Sequence, residues 1–109
     1  MNGDQLKGMI GLALRARQAA AGFDACRMMI RTGQCGIVLI DGATAGNTRR
    51  KMEELCARAG VPVRILPEGL IETATGRENR MMAVRAGNFA EKLSETQGTN
   101  RQEPGNNSR

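Results

Sequence analysis

The residues best suited to do chemistry fall into three short clusters of small, polar and basic side chains. The first is the Gly-rich stretch Asp41-Gly42-Ala43-Thr44-Ala45-Gly46-Asn47-Thr48, which follows the apolar run Gly36-Ile37-Val38-Leu39-Ile40 and leads into Arg49-Arg50-Lys51. A strand that passes through such a loop into a helix start gathers free backbone N–H groups and the positive pole of the helix, and three consecutive bases strengthen that field. Phosphate is the ligand this suits, and a plain capped helix is the other reading. Nucleotide hydrolysis is not expected: Gly42 to Thr48 is one residue short of a P-loop, Asn47 stands where the phosphate-reaching Lys belongs, and there is no GxGxxG.

The second cluster is Gly22-Phe23-Asp24-Ala25-Cys26-Arg27. A helix starting after Gly allows another backbone to come close. Asp24 is then either a local cap for free N–H groups or an acceptor for a guanine edge, with Arg27 and Arg31 meeting phosphates. The third is Thr73-Ala74-Thr75-Gly76-Arg77-Glu78-Asn79-Arg80, small residues bracketed by two arginines, which would let a nucleic acid approach or would serve as a solvated surface turn. We expect the three clusters to share one end of the fold.

Composition removes most alternatives. The 109 residues make one small domain. With no His there is no Ser-His-Asp triad, Cys-His dyad or HExxH zinc site, so an enzyme is not expected. Two Phe and no Trp or Tyr exclude the base-stacking platforms of RRM, OB-fold and cold-shock modules and leave an aliphatic core. Cys26, Cys35 and Cys56 contain no CxxC and read as small buried hydrophobes rather than disulfide partners or metal ligands. No signal peptide or membrane-spanning run is visible, so a cytoplasmic protein is expected, with no cofactor and no metal.

The net charge of +5 calls for a polyanionic partner. From Ser94 onward two Arg balance two Glu, so the excess belongs to the residues before the tail. Thirteen of the sixteen basic residues are Arg, whose planar fork suits phosphates and base edges. A merely solvated, Arg-biased surface is the plainer alternative.

These clusters must be held by regular elements. Apolar spacing predicts helices over Asp4–Ala21, with Asp4 as cap, over Phe23–Thr32 closed by Gly33, and from Asn47 or Thr48 to Ala59 closed by Gly60. It predicts strands at 36–40, 61–66 and 80–85, a short helix over 67–74 and a last helix over Asn88–Glu95. Strands separated by helices read as crossover connections, hence an α/β fold: a three-layer α/β/α sandwich around a small mixed, largely parallel sheet. Residues 1–93 form the domain, and 94–109 are expected to be a disordered polar tail.

Several of these segments, in this order, carry a resemblance. Ile10-Gly11-Leu12-Ala13-Leu14-Arg15-Ala16-Arg17, Gly22 and Ile30-Arg31-Thr32-Gly33 resemble the opening of the bacterial members of the ribosomal protein L7Ae/L30e superfamily. Asn47-Thr48-Arg49-Arg50-Lys51 with Cys56, Val61-Pro62-Val63, Ala74-Thr75-Gly76-Arg77 with Arg80, and Phe89-Ala90-Glu91-Lys92-Leu93 are similar to its later segments. The resemblance covers roughly residues 6–93. It implies an L30e-like sandwich that binds RNA at a kink-turn, an internal loop with tandem sheared G·A pairs. It further implies that the helix after Gly22 enters the groove at those pairs and that the loop around Thr73 to Arg77 covers flipped-out bases. Where archaeal and eukaryotic kink-turn binders carry an Asn-Glu pair and then a Lys, this chain has Asp24, Ala25 and Met28, so base reading falls to Asp24 with Arg27 nearby.

The expectation is therefore a non-enzymatic, monomeric RNA-binding protein for kink-turn or ribosomal RNA, possessing no membrane partner and associating with the ribosome. Its contacts are expected at Gly22, Phe23, Asp24, Arg27 and Arg31, at Asn47, Arg49, Arg50 and Lys51, and at Thr75, Gly76, Arg77 and Arg80. The alternative is a protein-interaction or regulatory module on the same fold.

Overall fold

The computed structural model describes residues 2–95. In chain order the elements are α1 (Gly3–Arg15), β1 (Ala19–Ala21), α2 (Phe23–Arg31), β2 (Cys35–Asp41), α3 (Gly46–Ala59), β3 (Val63–Leu66), α4 (Leu70–Thr75), β4 (Met81–Arg85) and α5 (Asn88–Glu95). Thus α5 reaches Glu95 as its spacing predicts, and the rest of the expected tail, 96–109, lies outside the described residues. No helix among the described residues is long and apolar enough to cross a membrane.

The expected three layers are present. Alternate residues of a strand face opposite ways, so Ile37, Leu39, Met82 and Val84 pack with α1, α4 and α5, while Val38, Ile40, Met81 and Ala83 pack with α2 and α3. Both layers are aliphatic: Leu6, Ile10, Ile71 and Leu93 fill the first, Met29, Ile30 and Met52 the second. Cys26 and Cys56 are buried in the second layer as small hydrophobes, Cys35 is half-buried, and all three are free thiols.

Burial makes the thiolate unfavourable. It pushes the Cys26 thiol from its ordinary 9.0 up to about 12, with the neighbouring Cys35 and Cys56 adding to the shift. Cys56 rises to about 11, through burial first and then through Cys35 and Glu53. An acid whose pKa is raised by folding stabilises the fold fully below the unfolded pKa and loses that contribution as pH rises through the folded one. The unfolding midpoint should therefore fall between pH 9 and 12, and a Cys26→Ala/Cys56→Ala variant should show a smaller fall across the same window in pH-dependent thermal melts.

The sheet order is β1-β4-β2-β3. Here the expected largely parallel pairing is corrected. Only β2 and β3 pair in parallel, Val38 opposite Val63 and Ile40 opposite Ile65, while β4 runs antiparallel to both β1 and β2. The crossovers through α2 and α3 do keep β1, β2 and β3 pointing one way, as helix-separated spacing implies for β2 and β3. However, α4 has only six residues, about 9 Å of helix, and cannot carry the chain back across the sheet. β4 starts at the end where β3 finished and is inserted between β1 and β2.

A second correction concerns the first helix. It ends at Arg15, and residues 19–21 are a strand rather than helix. Arg17 takes a left-handed φ of 60°, and the Gln18 N–H donates to the Ala13 carbonyl at 2.8 Å. Ala19, Ala20 and Ala21 then pair with Val84, Ala83 and Met82. The N-cap is Asn2 rather than Asp4. Its side chain accepts from Gln5 N at 2.8 Å and its N–H donates to Gln5 Oε1 at 2.9 Å, a reciprocal capping box. Gly8 sits exposed inside α1, and an added Cβ would meet nothing within 4 Å. Gly8→Ala should therefore stabilise the protein by about 0.5–1 kcal/mol in urea unfolding, because alanine loses less backbone entropy in a helix.

Candidate nucleic-acid interface

The three clusters meet at one end of the sandwich. That end comprises the carboxyl ends of β1, β2 and β3 and the start of β4. Gly22 N donates to the Met81 carbonyl at 2.9 Å, Asp41 N to the Arg80 carbonyl at 2.8 Å, and Gly42 N to the Leu66 carbonyl at 2.8 Å. These bonds tie the start of α2, the β2–α3 loop and the segment before β4 to one another. The expected shared location is found.

Asp41 organises this end. The residue is 4% exposed; Oδ1 accepts from Ala43 N at 2.7 Å and Oδ2 from Gly69 N at 2.8 Å. One side chain thus clamps the β2–α3 loop to the turn before α4. Thr44, also buried, donates its hydroxyl to the Arg80 carbonyl at 3.4 Å. Sequence reasoning placed both in the Gly-rich loop without a role. The signal was available: an Asp closing a buried strand and followed by Gly is a side chain poised to bond backbone N–H groups two residues on.

At the start of α2, Gly22 has φ 99° and ψ 158°. Any side chain would be strained there, by about 1–3 kcal/mol. The Asp24 carboxylate does not cap the helix, which has no side-chain cap. It pairs instead with Arg27 at 3.3 Å, and that guanidinium lies 5.9 Å from the centre of the Phe23 ring. Arg27 is held from two sides, whereas Asp24 stays exposed in the first turn, where a negative charge complements the dipole.

The start of α3 is arranged the opposite way. Its N-cap, Ala45, offers no side-chain acceptor, and the first turn contains no acidic residue. Arg49, Arg50 and Lys51 place positive charge near the positive pole. Two of them have local partners: Arg49 bonds Glu53 at 3.3 Å and the Thr44 carbonyl at 3.3 Å, and Arg50 donates to Asn47 Oδ1 at 2.7 Å. Lys51 is exposed and makes no ion pair with a described residue.

In the third cluster the Thr75 hydroxyl donates to the Ile71 carbonyl at 2.9 Å and accepts from Arg77 N at 3.3 Å, so Thr75 shapes the loop. Gly76 turns left-handed at φ 74° to end α4. The side chains of Arg77 and Arg80 are exposed and make no hydrogen bond or ion pair with another described residue. Arg80 joins Ala43, Thr44, Ala45 and Thr48 around a hollow of about 330 Å³. Thr48 also borders a groove with Phe23 and therefore connects all three clusters, a link that sequence spacing did not reveal. Of the expected residues only Arg31 lies away from this end, eight residues and about 12 Å down α2 from Phe23.

Over 95 residues the chain is 30% identical to the RNA-binding protein YlxQ of Bacillus subtilis (strain 168), across 85% of this chain and 95% of that relative. The chain belongs to the L7Ae/L30e superfamily, in its bacterial branch. No protein-family model matches it. Among solved structures, a protein with unknown function from Bacillus halodurans C is similar at a TM-score of 0.75 and 25% identity, over 82% of this chain and 92% of that one. A 15.5 kD RNA-binding protein of Giardia lamblia is similar at a TM-score of 0.67 and 12% identity, over 86% of this chain and 85% of its own. At 12% identity that likeness is one of fold.

The L7Ae/L30e membership agrees with the position of the motifs that suggested it. Gly22, Asn47-Thr48-Arg49-Arg50-Lys51 and Ala74-Thr75-Gly76-Arg77 with Arg80 surround one end of the sheet, whereas Phe89 and Leu93 pack in the layer of α1 and Ala90 is buried there. The same motif set thus contains residues for packing and residues left at the surface.

Proposed function

We propose that this member of the L7Ae/L30e superfamily binds structured RNA at the end of the sandwich described above, and that its target is a kink-turn or a similarly bent RNA, including RNA of the ribosome. The arrangement at the start of α3 carries the reading. A helix start with no side-chain cap and no acidic residue, with Arg49 closing its first turn and Arg50 and Lys51 in the next, leaves the positive pole without a local anion, a small cost to the free protein that fades beyond the first turn. A phosphate supplies that anion and satisfies the free N–H groups. Neighbouring segments then supply what a bent RNA requires. Gly22 lets the start of α2 approach closely, Asp24 and Arg27 provide an acceptor and a cation for base edges and backbone, and Gly76, Arg77 and Arg80 cover the bend. Backbone and shape contacts predominate, as for distorted RNA generally, and no catalytic step is involved. The name of the curated relative, an RNA-binding protein, supports the same partner class.

The test is an Arg49→Ala/Arg50→Ala variant. RNA affinity should fall, and the slope of log K against log salt should flatten by about 1.4–1.8, at roughly 0.7–0.9 per lost phosphate contact. Stability should stay within about 0.5 kcal/mol of the parent, since the deleted charges oppose the dipole and their bonds are at the surface. An unchanged salt slope would remove the start of α3 from the interface.

A further inference from the structure

Beyond the end of the sheet, α2 and α3 enclose a groove of about 470 Å³ along their outer faces. Phe23, Arg27 and Arg31 on α2 repeat every four residues and form one stripe. Lys51, Leu55 and Arg58 on α3 repeat at four and three residues and form the facing one. Both helices start at the RNA end, so the groove opens there, at Phe23 and Thr48, and continues away from it. Arg27 and Arg31 are about 6 Å apart along the axis, and Lys51 and Arg58 about 10 Å.

We propose that this groove is a second RNA contact, a track that holds the phosphodiester backbone of a stem flanking the bent element; the proposal rests on the function proposed above. Four cations line it against one carboxylate, Glu54. Arg31, Lys51 and Arg58 are exposed and have no ion pair among the described residues, and only Arg27 is engaged, by Asp24. Unpaired charge of one sign along two facing stripes attracts a polyanion, and the spacing suits successive phosphates rather than a single ion. An acidic protein is the weaker occupant. The apolar part of the groove consists of half-buried Phe23 and Leu55, too little for the desolvated centre of a protein interface, whereas a backbone contact needs none. Continuity with the RNA end also lets one molecule occupy both sites, so that the groove contact becomes intramolecular once the bend is bound.

The experiment uses the full chain and the Arg31→Gln/Arg58→Gln variant, whose changes lie at the far end of the groove. Each is titrated from 50 to 200 mM salt with three RNAs: a kink-turn with minimal arms, the same kink-turn with each arm extended by about one helical turn, and the extended form with its G·A pairs replaced by Watson–Crick pairs. The parent should bind the extended kink-turn more tightly than the minimal one. The variant should lose that gain, about tenfold at the lower salt, with a salt slope flatter by up to about 1.8, and should keep its affinity for the minimal RNA. Arg31→Lys/Arg58→Lys should restore most of the slope and melt with the parent, whereas the glutamine variant, which loses a last-turn cation from each of α2 and α3, should melt slightly lower and stay folded throughout the titration. Equal affinity of the parent for long and short arms, or a variant indistinguishable from it, would overturn the groove while leaving the bent-RNA reading intact. No preference of the parent for either kink-turn over the Watson–Crick control would overturn that reading, and the groove with it. Binding of polyglutamate that competes with the extended arm and is tighter than the RNA would assign the groove to an acidic protein and overturn the proposal.

Discussion

Asp41→Ala is expected to lower the unfolding free energy by about 3 kcal/mol and to weaken RNA binding at least tenfold. The Asp41 carboxylate is buried and accepts one backbone N–H from each of two loops, Ala43 at 2.7 Å and Gly69 at 2.8 Å. Hydrogen bonds to a charged group are each worth about 1.5–3 kcal/mol, and part of that is recovered when water reaches the released donors. Alanine would also uncouple the loop that starts α3 from the turn before α4, so the N–H groups proposed to meet a phosphate would no longer be held in place. Asp41→Asn should lose about half as much stability, since its amide keeps one acceptor and turns a donor toward the other N–H. Urea unfolding gives the first quantity and RNA titration at a temperature where the variant remains folded gives the second. A variant with parental stability would show that the clamp does not hold this end together.

Gly36→Ala should be at least as damaging to stability while sparing the end of the sandwich proposed to bind RNA. A Cβ at Gly36 would lie 2.6 Å from Ala90 Cβ and 2.7 Å from Ala86 Cα. Neither is the end of a flexible side chain, so the backbone of β2 or the start of α5 must move. Gly36 is also the extra residue of a bulge: Cys35 lies opposite Arg85 and Ile37 opposite Val84. Overpacking usually costs about 1–3 kcal/mol, and a backbone clash of this depth falls at the upper end or above it. The site is at the amino end of β2, remote from the α3 start, so RNA affinity per folded molecule should be unchanged. A melt within about 0.5 kcal/mol of the parent would contradict the close seating of α5 on β2.

Much of this architecture was legible in the residues. The apolar spacing of α2, α3 and α5, the glycines that close the first two of these, and the unbroken apolar run of β2 all lead to the observed elements. β1 was not, because Ala19-Ala20-Ala21 has neither β-branched residues nor alternation and continues the alanine-rich rhythm of α1. Its strand character comes from pairing with β4, which is a tertiary effect. The direction of β4 was hidden for a related reason: short α4 resembles a crossover in sequence but never crosses the sheet. At the interface, charge and glycine marked the three clusters and the resemblance ordered them. Of their joining residues, Asp41 left a local signal in its bond two residues on, but its reach to Gly69 was not legible, nor was the place of Thr44 and Thr48, whose neighbours at this end are distant in sequence. Arg58 was missed because helical spacing alone does not tell which outer face meets a neighbour.

The most direct test of the central claim is a titration of the full chain at about 150 mM salt with a short kink-turn stem and with the same stem carrying Watson–Crick pairs in place of its G·A pairs. Non-specific binding through charge alone reaches only ~10⁻⁴–10⁻⁶ M. Submicromolar affinity for the kink-turn that is lost in the control is the expected result, with Asp24, Arg27 and the start of α3 reading the bend. Equal, weak binding to both stems would contradict it.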